Sequence, residues 1–238
     1  MAKRWMRVSM VVVVVATVAS SGWSQDTSRV QSWLARMIGD TGKYINIVLL
    51  LDNETAAKVQ ALCDAEGEKS AKKMQEIWES AGDDRQAGFE KMRAEREEYA
   101  KRIKTGLGGI LSEGQIQSIE PILDGRVPST FRTPEEGGRN PFLWALASIS
   151  LQPEQRTKML GVTVPYACGI QPFASRSSRE GPSDEEKEKI QKLAESFTKD
   201  AGAILTAEQK EKWEAEAAKL REQWDKEREE FRQRRQNR

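Results

Sequence analysis

The sequence of 238 residues contains no histidine, only two cysteines and only three tyrosines. Histidine most often serves as the general base of an enzyme, completes Ser-His or Cys-His nucleophilic sites and binds transition metals. Its absence excludes the common catalytic arrangements, so we expect a protein that is not an enzyme. We also expect no metal and no cofactor, because the acidic residues follow no spaced calcium-binding pattern.

The alternation of apolar and polar residues that is typical of β-strands is also lacking. Apolar residues recur instead at steps of three and four, which predicts an all-α fold with long amphipathic helices. Four blocks show this spacing: Val59, Leu62, Cys63, Met74, Ile77 and Trp78; Phe89, Met92, Arg96, Tyr99, Ile103, Leu107 and Ile110; Ile190, Leu193, Phe197 and Ile204; and Trp213, Ala217, Leu220, Trp224 and Phe231.

The N-terminus combines a basic start, an apolar run from about Val8 to Ala19 and small residues. We predict that residues 1–24 are a cleaved signal peptide and that the protein is periplasmic or otherwise exported. An uncleaved N-terminal anchor is the alternative, although the apolar run is short for a membrane span. Cleavage leaves 35 of the 38 basic residues against 37 acidic ones, a net charge of about −2. This balance indicates no nucleic-acid partner, and we expect no stable membrane insertion after cleavage.

Two short phrases, ILSEGQ and ILTAEQ, share the pattern of a capping box. The serine or threonine is suited to accept a bond from the backbone N–H three residues later, and the glutamine reaches back to the N-terminal N–H. Each phrase therefore predicts a tight corner between two helices, with a packed leucine before it. The residues of these corners are Leu111, Ser112, Gln115, Leu205, Thr206 and Gln209.

The chain also contains an internal repeat. YINIVLLLDNET, which begins at Tyr44, aligns with WALASISLQPEQ, which begins at Trp144, and the capping boxes repeat 94 residues apart. Each unit then has an entry helix, a corner, a helical hairpin, a second corner and an exit helix. At the first corners Asp52 is a fair N-cap, whereas Gln152 is a poor one that Pro153 partly offsets.

The repeat and the breaker residues set the predicted boundaries. We predict two tandem helical-hairpin units, residues 25–125 and residues 141–238, with a linker at 126–140. The stretch 164–183, rich in Pro, Gly and Ser, is predicted to be the irregular tip of the second hairpin. Asp83 and Ser183 are predicted to cap the following helices. Gly106, Gly108 and Gly109 are interpreted as small residues that permit close helix packing.

Corners of this form in an exported, helical, charge-rich chain resemble the Spy/CpxP family, which is named for its LTxxQ motif. The matching residues are Leu205, Thr206 and Gln209; Leu111, Ser112 and Gln115; Leu151 and Gln155 in part; and Leu51. The resemblance implies a periplasmic stress protein. Members of that family include ATP-independent chaperones shaped as a cradle of helical hairpins, a regulator of an envelope sensor kinase and metal-responsive relatives.

Members of that family usually carry one motif pair and dimerise through their long helices, whereas this chain carries two pairs. The tandem units are therefore expected to form either a homodimer or an intramolecular pseudo-dimer. The expected partners are unfolded or partner envelope proteins. The expected function is that of an envelope-stress accessory protein or ATP-independent chaperone. The alternatives are a metal-stress sensor, against which the absence of histidine argues, and a structural envelope protein with one fixed partner.

Two groups of apolar and amphipathic residues are candidates for binding such partners. Phe89, Met92, Arg96 and Tyr99 combine flexible and aromatic side chains that suit varied partners, and the alternative is a hairpin seam packed against residues 59–78. Trp213 and Trp224 also need a covering partner, either within the chain or outside it.

Cys63 and Cys168 are the only cysteines. Two cysteines in an exported chain often form a disulfide, because the compartment is oxidising. The alternative is that Cys63 is a buried free thiol on the apolar stripe of its helix. The sequence leaves both possibilities open.

Overall fold

The computed structural model describes residues 40–82, 84–123, 127–128, 132–174 and 181–236, which form helices and connecting turns without a β-strand. The all-α prediction is therefore confirmed for this part of the chain. The predicted signal peptide lies outside these residues. None of the helices within them has the length and apolar character needed to cross a membrane.

The first unit has a short entry helix, a long hairpin and a broken exit helix. Its helices are α1 (residues 40–48), α2 (Asn53–Ala81), α3 (Arg85–Leu107), α4 (Glu113–Ser118) and α5 (Glu120–Leu123). Asp84 caps α3 by accepting a hydrogen bond from the N–H of Ala87 at 3.0 Å. The predicted cap, Asp83, lies outside the described residues, and the helix begins one residue later than expected.

The second unit repeats this order with a continuous exit helix. Its helices are α6 (Pro141–Ala145) with a 3-10 turn (Leu146–Ser148), α7 (Pro153–Ala174), α8 (Asp184–Ile204) and α9 (Ala207–Gln236). Ser183 caps α8 in a capping box with Glu186, as its sequence predicts. The described part of the predicted linker contains a further 3-10 turn, Pro134–Glu136.

Helix α7 corrects the prediction that the chain is irregular from residue 164. The helix continues to Ala174 through Pro165 and Pro172. Both prolines are exposed, and on the solvent side of a helix water can replace the hydrogen bonds that proline removes. Tyr166 and Ile170 are buried on the opposite side. Burial of these two side chains stabilises a helix that the two prolines alone would disfavour.

The exit helices differ because of one aligned residue. Alignment of the capping boxes places Pro121 opposite Ala215. Proline lacks the N–H that would continue α4, and its ring clashes with the carbonyl four residues earlier. It therefore lies in the first turn of the new helix α5, whereas alanine continues α9 to a length of 30 residues. Ile119 and Trp213, which also align, are both fully buried.

Both units contribute to one hydrophobic core. The entry helices α1 and α6 meet at its centre, where Tyr44 stacks on its repeat equivalent Trp144 with ring centroids 6.3 Å apart. Helix α7 of the second unit packs on α1 of the first, because the Thr163 hydroxyl donates to the carbonyl of Val48 at 2.7 Å. The two tandem units therefore share their interior.

The α2–α3 hairpin is closed tightly at its base. A Cβ atom at Gly106 would lie 2.6 Å from Leu62 Cδ1, which is closer than two carbon atoms can approach. A larger residue at this position would require the Leu62 side chain to move. Of the glycines at this corner, Gly106 is the one that lies against α2.

Candidate functional site

The two capping boxes form the corners before the exit helices. The N–H of Gln115 donates to Ser112 Oγ at 3.3 Å, and the N–H of Ser112 donates to Gln115 Oε1 at 2.9 Å. Thr206 and Gln209 make the same pair of bonds, at 3.3 Å and 2.9 Å. The leucine before each box is buried. The corner geometry therefore follows from the motif residues themselves.

Both corners of the second unit are joined through their glutamines. Gln155 Nε2 donates to Gln209 Oε1 at 2.8 Å, and Gln209 Nε2 donates to Gln155 Oε1 at 3.1 Å. Gln155 also donates to the carbonyl of Ile204 at 3.0 Å, and Gln209 to that of Ser150 at 2.8 Å. Each side chain thus binds the backbone of the other corner, while Leu151 packs against the core beside them.

The first corner of the first unit is held by other side chains. Asp52 accepts bonds from the N–H groups of Glu54 and Thr55 at 3.0 Å, and the bonds with Thr55 lower the pKa of its carboxyl group. The carbonyl of Leu50 accepts a bond from Arg156 Nη1 at 2.8 Å. Leu50 and Ser150 are equivalent in the repeat, so a distant side chain binds the same carbonyl position in both units.

A groove of about 790 Å³ lies between α8 and α9, beside the Thr206 corner. The rings of Phe142 and Trp213 line its floor edge to face, with centroids 5.0 Å apart. Trp213 Nε1 donates to the carbonyl of Phe142 at 2.7 Å, which fixes the indole ring. Gly202 also lines the groove and leaves room there, because it has no side chain.

The rim of this groove carries both signs of charge. Lys210 Nζ lies 3.9 Å from a carboxylate oxygen of Glu214, and the Arg221 guanidinium lies 6.0 Å from the centre of the Phe142 ring. The charged residues of the rim are Glu135, Glu195, Lys199, Lys210, Glu214 and Arg221. An apolar floor with charged walls is chemically suited to an extended or helical protein segment that has both apolar and polar side chains.

Two of the candidate binding residues belong to the core. Trp213 is 1% exposed and Trp224 is 5% exposed, so neither is available at the surface. The Trp224 ring packs edge to face on Trp144 with centroids 6.3 Å apart. The partner that covers them is α6 of the same chain, against which α9 packs. Trp213 reaches the candidate groove only as part of its floor.

The other candidate residues lie along the hairpin of α2 and α3. Met92 is buried against Met74, and Arg96 and Tyr99 are half-buried in the seam between the helices. Phe89 is 58% exposed near the tip, where its ring packs edge to face on Trp78 with centroids 5.9 Å apart. Of the four residues, only Phe89 presents most of its side chain to solvent.

A charged layer crosses the same hairpin and was missed by sequence reasoning. It consists of Glu66 and Lys73 on α2 and Glu95 and Arg102 on α3. Arg102 Nε donates to Glu66 Oε2 and Arg102 Nη2 donates to Glu95 Oε1, both at 2.8 Å. Lys73 Nζ lies 3.5 Å from Glu95 Oε2. Glu95 is only 7% exposed.

The position of Glu95 in the sequence is consistent with a place in the seam between α2 and α3. Glu95 lies three residues after Met92 and four before Tyr99, which is the step of a helical seam, whereas the prediction placed Arg96 there. Hydrogen bonds from Lys69 and Arg102 hold the pKa of Glu66 below its usual value. Glu66 is therefore ionised at neutral pH.

The cysteines are free thiols in the structure, so the proposed disulfide is not formed. Cys63 is fully buried, and burial raises the pKa of its thiol to about 12. Cys168 is half-buried and its Sγ donates to the carbonyl of Ser118 at 3.3 Å. Both thiols serve as packing groups of their helices.

Comparison of the chain with models of known protein families, with characterised proteins and with solved structures finds no match. Among the residues that the structure describes, no three Cys, Asp or Glu side chains are grouped so that they could hold a metal ion. The groove between α8 and α9 has a volume of about 790 Å³, against about 460 Å³ for a second cavity lined by Gly169, Phe173 and Leu193. It is the candidate functional site.

Proposed function

We propose that this protein is an exported, ATP-independent chaperone or envelope-stress accessory protein that binds apolar segments of unfolded or partner proteins. The observation that carries this proposal is the groove between α8 and α9, with its apolar floor at Phe142 and Trp213 and its charged rim. The predicted signal peptide and the paired LTxxQ-like corners favour the envelope as the site of action.

The structure of the groove predicts weak and reversible binding. Its apolar floor is small, so the affinity gained from burial is modest. Charges of both signs on the rim speed the encounter with a partner, and this contribution falls as salt rises. We therefore expect release by dilution or by salt, without a nucleotide.

An aggregation assay tests this function. The chain without residues 1–24 is mixed with a chemically unfolded client protein at near-equal concentration, without ATP, and light scattering is followed. We expect suppression of scattering for several unrelated clients. Failure with all of them, together with micromolar binding of zinc or copper, would favour the metal-stress sensor. Failure in both assays would favour a structural protein with one fixed partner.

A pair of alanine substitutions tests the groove itself. Ala203 is exposed and lines the groove, whereas Ala215 is exposed on α9 and is not among the residues around the groove. Ala203→Trp fills the groove without disturbing the core, so we expect it to reduce suppression strongly. Ala215→Trp adds the same side chain elsewhere and serves as the matched control. Equal activity of the two variants would place the binding surface outside the groove.

Phe89 offers a second surface for the same function. Because its side chain is already 58% exposed, Phe89→Ser should change the free energy of unfolding little. We expect this variant to suppress aggregation less well than the parent chain at equal stability. Met92→Ser is a poorer test, because Met92 is buried and the change also weakens the hairpin.

The shared core supports an intramolecular pseudo-dimer over a homodimer. Tyr44 and Trp144 occupy equivalent positions of the two units and stack on each other, as equivalent residues do across the twofold axis of a dimer. We therefore expect one chain to act alone. Sedimentation equilibrium of the purified protein should give the mass of a single chain over a wide range of concentrations.

A further inference from the structure

The outer part of the α2–α3 hairpin has a small apolar cluster of its own. We call residues 71–82 and 84–94 the distal arm. Met74 and Met92 form the buried centre of its cluster, and Ala71, Ile77 and Trp78 pack around them. This cluster is separate from the main hydrophobic core. The distal arm therefore depends on few buried apolar contacts.

The charged layer lies between this cluster and the main core. On the core side of the layer, Cys63 and Ile103 belong to the main hydrophobic cluster. Within the layer, Arg102 bonds to both Glu66 and Glu95. Burial of such ions costs hydration energy that their attraction only partly returns, so the layer adds less stability than apolar packing would.

A buried hydroxyl adds to the weakness of this region. Ser70 is 1% exposed, and its Oγ has no hydrogen-bond partner among the residues that the structure describes. A buried polar atom without a partner destabilises the closed form and regains hydration when the helices separate. Ser70 lies between Glu66 and Met74, at the boundary of the two clusters.

The two hairpins also differ in the elements that pack against them. Helix α2 packs mainly along α3, whereas α7 and α8 also pack against α5 and the 3-10 turn Pro134–Glu136. Phe197 of α8 further contacts Trp213 of α9. The second hairpin thus has neighbours along both of its helices, whereas the first hairpin relies mainly on the packing of α2 along α3.

We propose that the distal arm opens as a unit, with Glu66, Glu95 and Arg102 of the charged layer as the boundary, while the base of the hairpin stays in the core. Opening separates residues 71–82 from residues 84–94 and exposes Met74, Met92 and Trp78. Regions with few apolar contacts open at lower free energy than the whole protein does. This inference stands apart from the proposed function, because it does not require that the groove bind a partner.

Amide hydrogen exchange of the purified chain tests the proposal. We expect amides of the distal arm to exchange at least ~10-fold faster than those of residues 56–63 and 103–107, because they exchange by local opening. Low concentrations of denaturant should accelerate the core amides much more than those of the arm. Equal rates with equal denaturant dependence would show that the arm opens only with the whole protein, and would overturn the proposal.

Three variants identify the charged layer as the boundary. Arg102→Met leaves Glu66 and Glu95 without their shared partner, so exchange in the distal arm should rise. The double variant Glu95→Leu, Arg102→Met replaces the central ion pair by apolar side chains, so exchange should fall below that of the parent. Arg93→Met removes an exposed charge of the same arm and should leave the exchange rates of its amides unchanged. Faster exchange in the double variant than in Arg102→Met would contradict the role of the layer.

Discussion

The two hairpins of the molecule begin and end at equivalent corners, yet they are stabilised in different ways. In the α7–α8 hairpin Tyr166 stacks on Phe197 across the seam, with ring centroids 4.6 Å apart. In the α2–α3 hairpin the corresponding middle contains the ions Glu66, Glu95 and Arg102. The corner motifs therefore set where a hairpin starts, while the seam and its neighbours set how firmly it is closed.

The largest difference in the free energy of unfolding is expected between substitution of Trp213 in the second unit and substitution of Met92 in the distal arm. Trp213→Ala removes a fully buried ring and its bond to Phe142, so it should lower the free energy of unfolding by ~4 kcal/mol. Met92→Ala removes a smaller side chain from the distal arm and should cost ~2 kcal/mol. Denaturant titration followed by circular dichroism measures both. Equal losses would mean that the arm is as firmly held as the core.

A smaller loss is expected when the charged layer is broken. Arg102→Met should cost ~2 kcal/mol, below the usual range for a buried ion pair because the Arg102 side chain is 28% exposed. Arg93→Met, whose charge is exposed, should cost less than ~0.5 kcal/mol. Thermal unfolding of both variants provides the measurement. A cost for Arg102→Met no greater than that for Arg93→Met would mean that the ions are effectively hydrated.

The corners themselves should contribute about 1 kcal/mol each. Thr206→Ala removes the oxygen that accepts the bond from the Gln209 N–H, and an N-cap of this kind contributes ~1 kcal/mol. Gln152→Ala should have little effect, because that residue contributes its backbone N–H to Gln155, which alanine retains. Chemical denaturation distinguishes the two. Negligible losses at both positions would contradict the capping role.

The smallest effect is an acid response of the α2–α3 hairpin. Lys69 and Arg102 hold the pKa of Glu66 below its usual value, so the charged form stabilises the folded state. This contribution is complete above the pKa of the unfolded chain and is lost as the pH falls through the lower, folded pKa of Glu66. The facing charged groups are Lys69, Lys73, Glu95, Glu98 and Arg102.

Amide hydrogen exchange measured at several pH values tests the direction of this effect. Distal-arm opening should increase as the pH falls from ~5 to ~3, after correction for the intrinsic exchange rate. The Glu66→Gln variant should lose part of this dependence, because its side chain does not titrate. Slower opening at the lower pH would show that another group controls the response.

Local chemistry made the helices and the corners predictable. The capping boxes at Ser112, Ser183 and Thr206 act through bonds over three residues, so a short sequence is enough to identify them. Regular apolar spacing likewise predicted α2, α3, α8 and α9. These features need no knowledge of the rest of the chain.

The features that sequence reasoning missed depend on distant residues. Helix α7 passes through two prolines because Tyr166 and Ile170 find buried positions that other helices create. The groove combines α6, α8 and α9, whose arrangement no local pattern specifies. The choice between Glu95 and Arg96 in the seam depends on the rotation of α3 against α2. Both residues fit the steps of three and four between Met92 and Tyr99, so the sequence spacing alone does not decide which of them faces α2.

The difference between the exit helices also has a genetic side. Pro121 and Ala215 occupy the same place in the repeat. Proline codons begin with CC and alanine codons with GC, so a single base substitution interconverts the two residues. Such a mutation removes the block to a longer exit helix in one unit, or creates one in the other, and leaves the buried residue two positions earlier unchanged. Once a gene contains the segment twice, the two copies can diverge in helix length by the smallest mutational step.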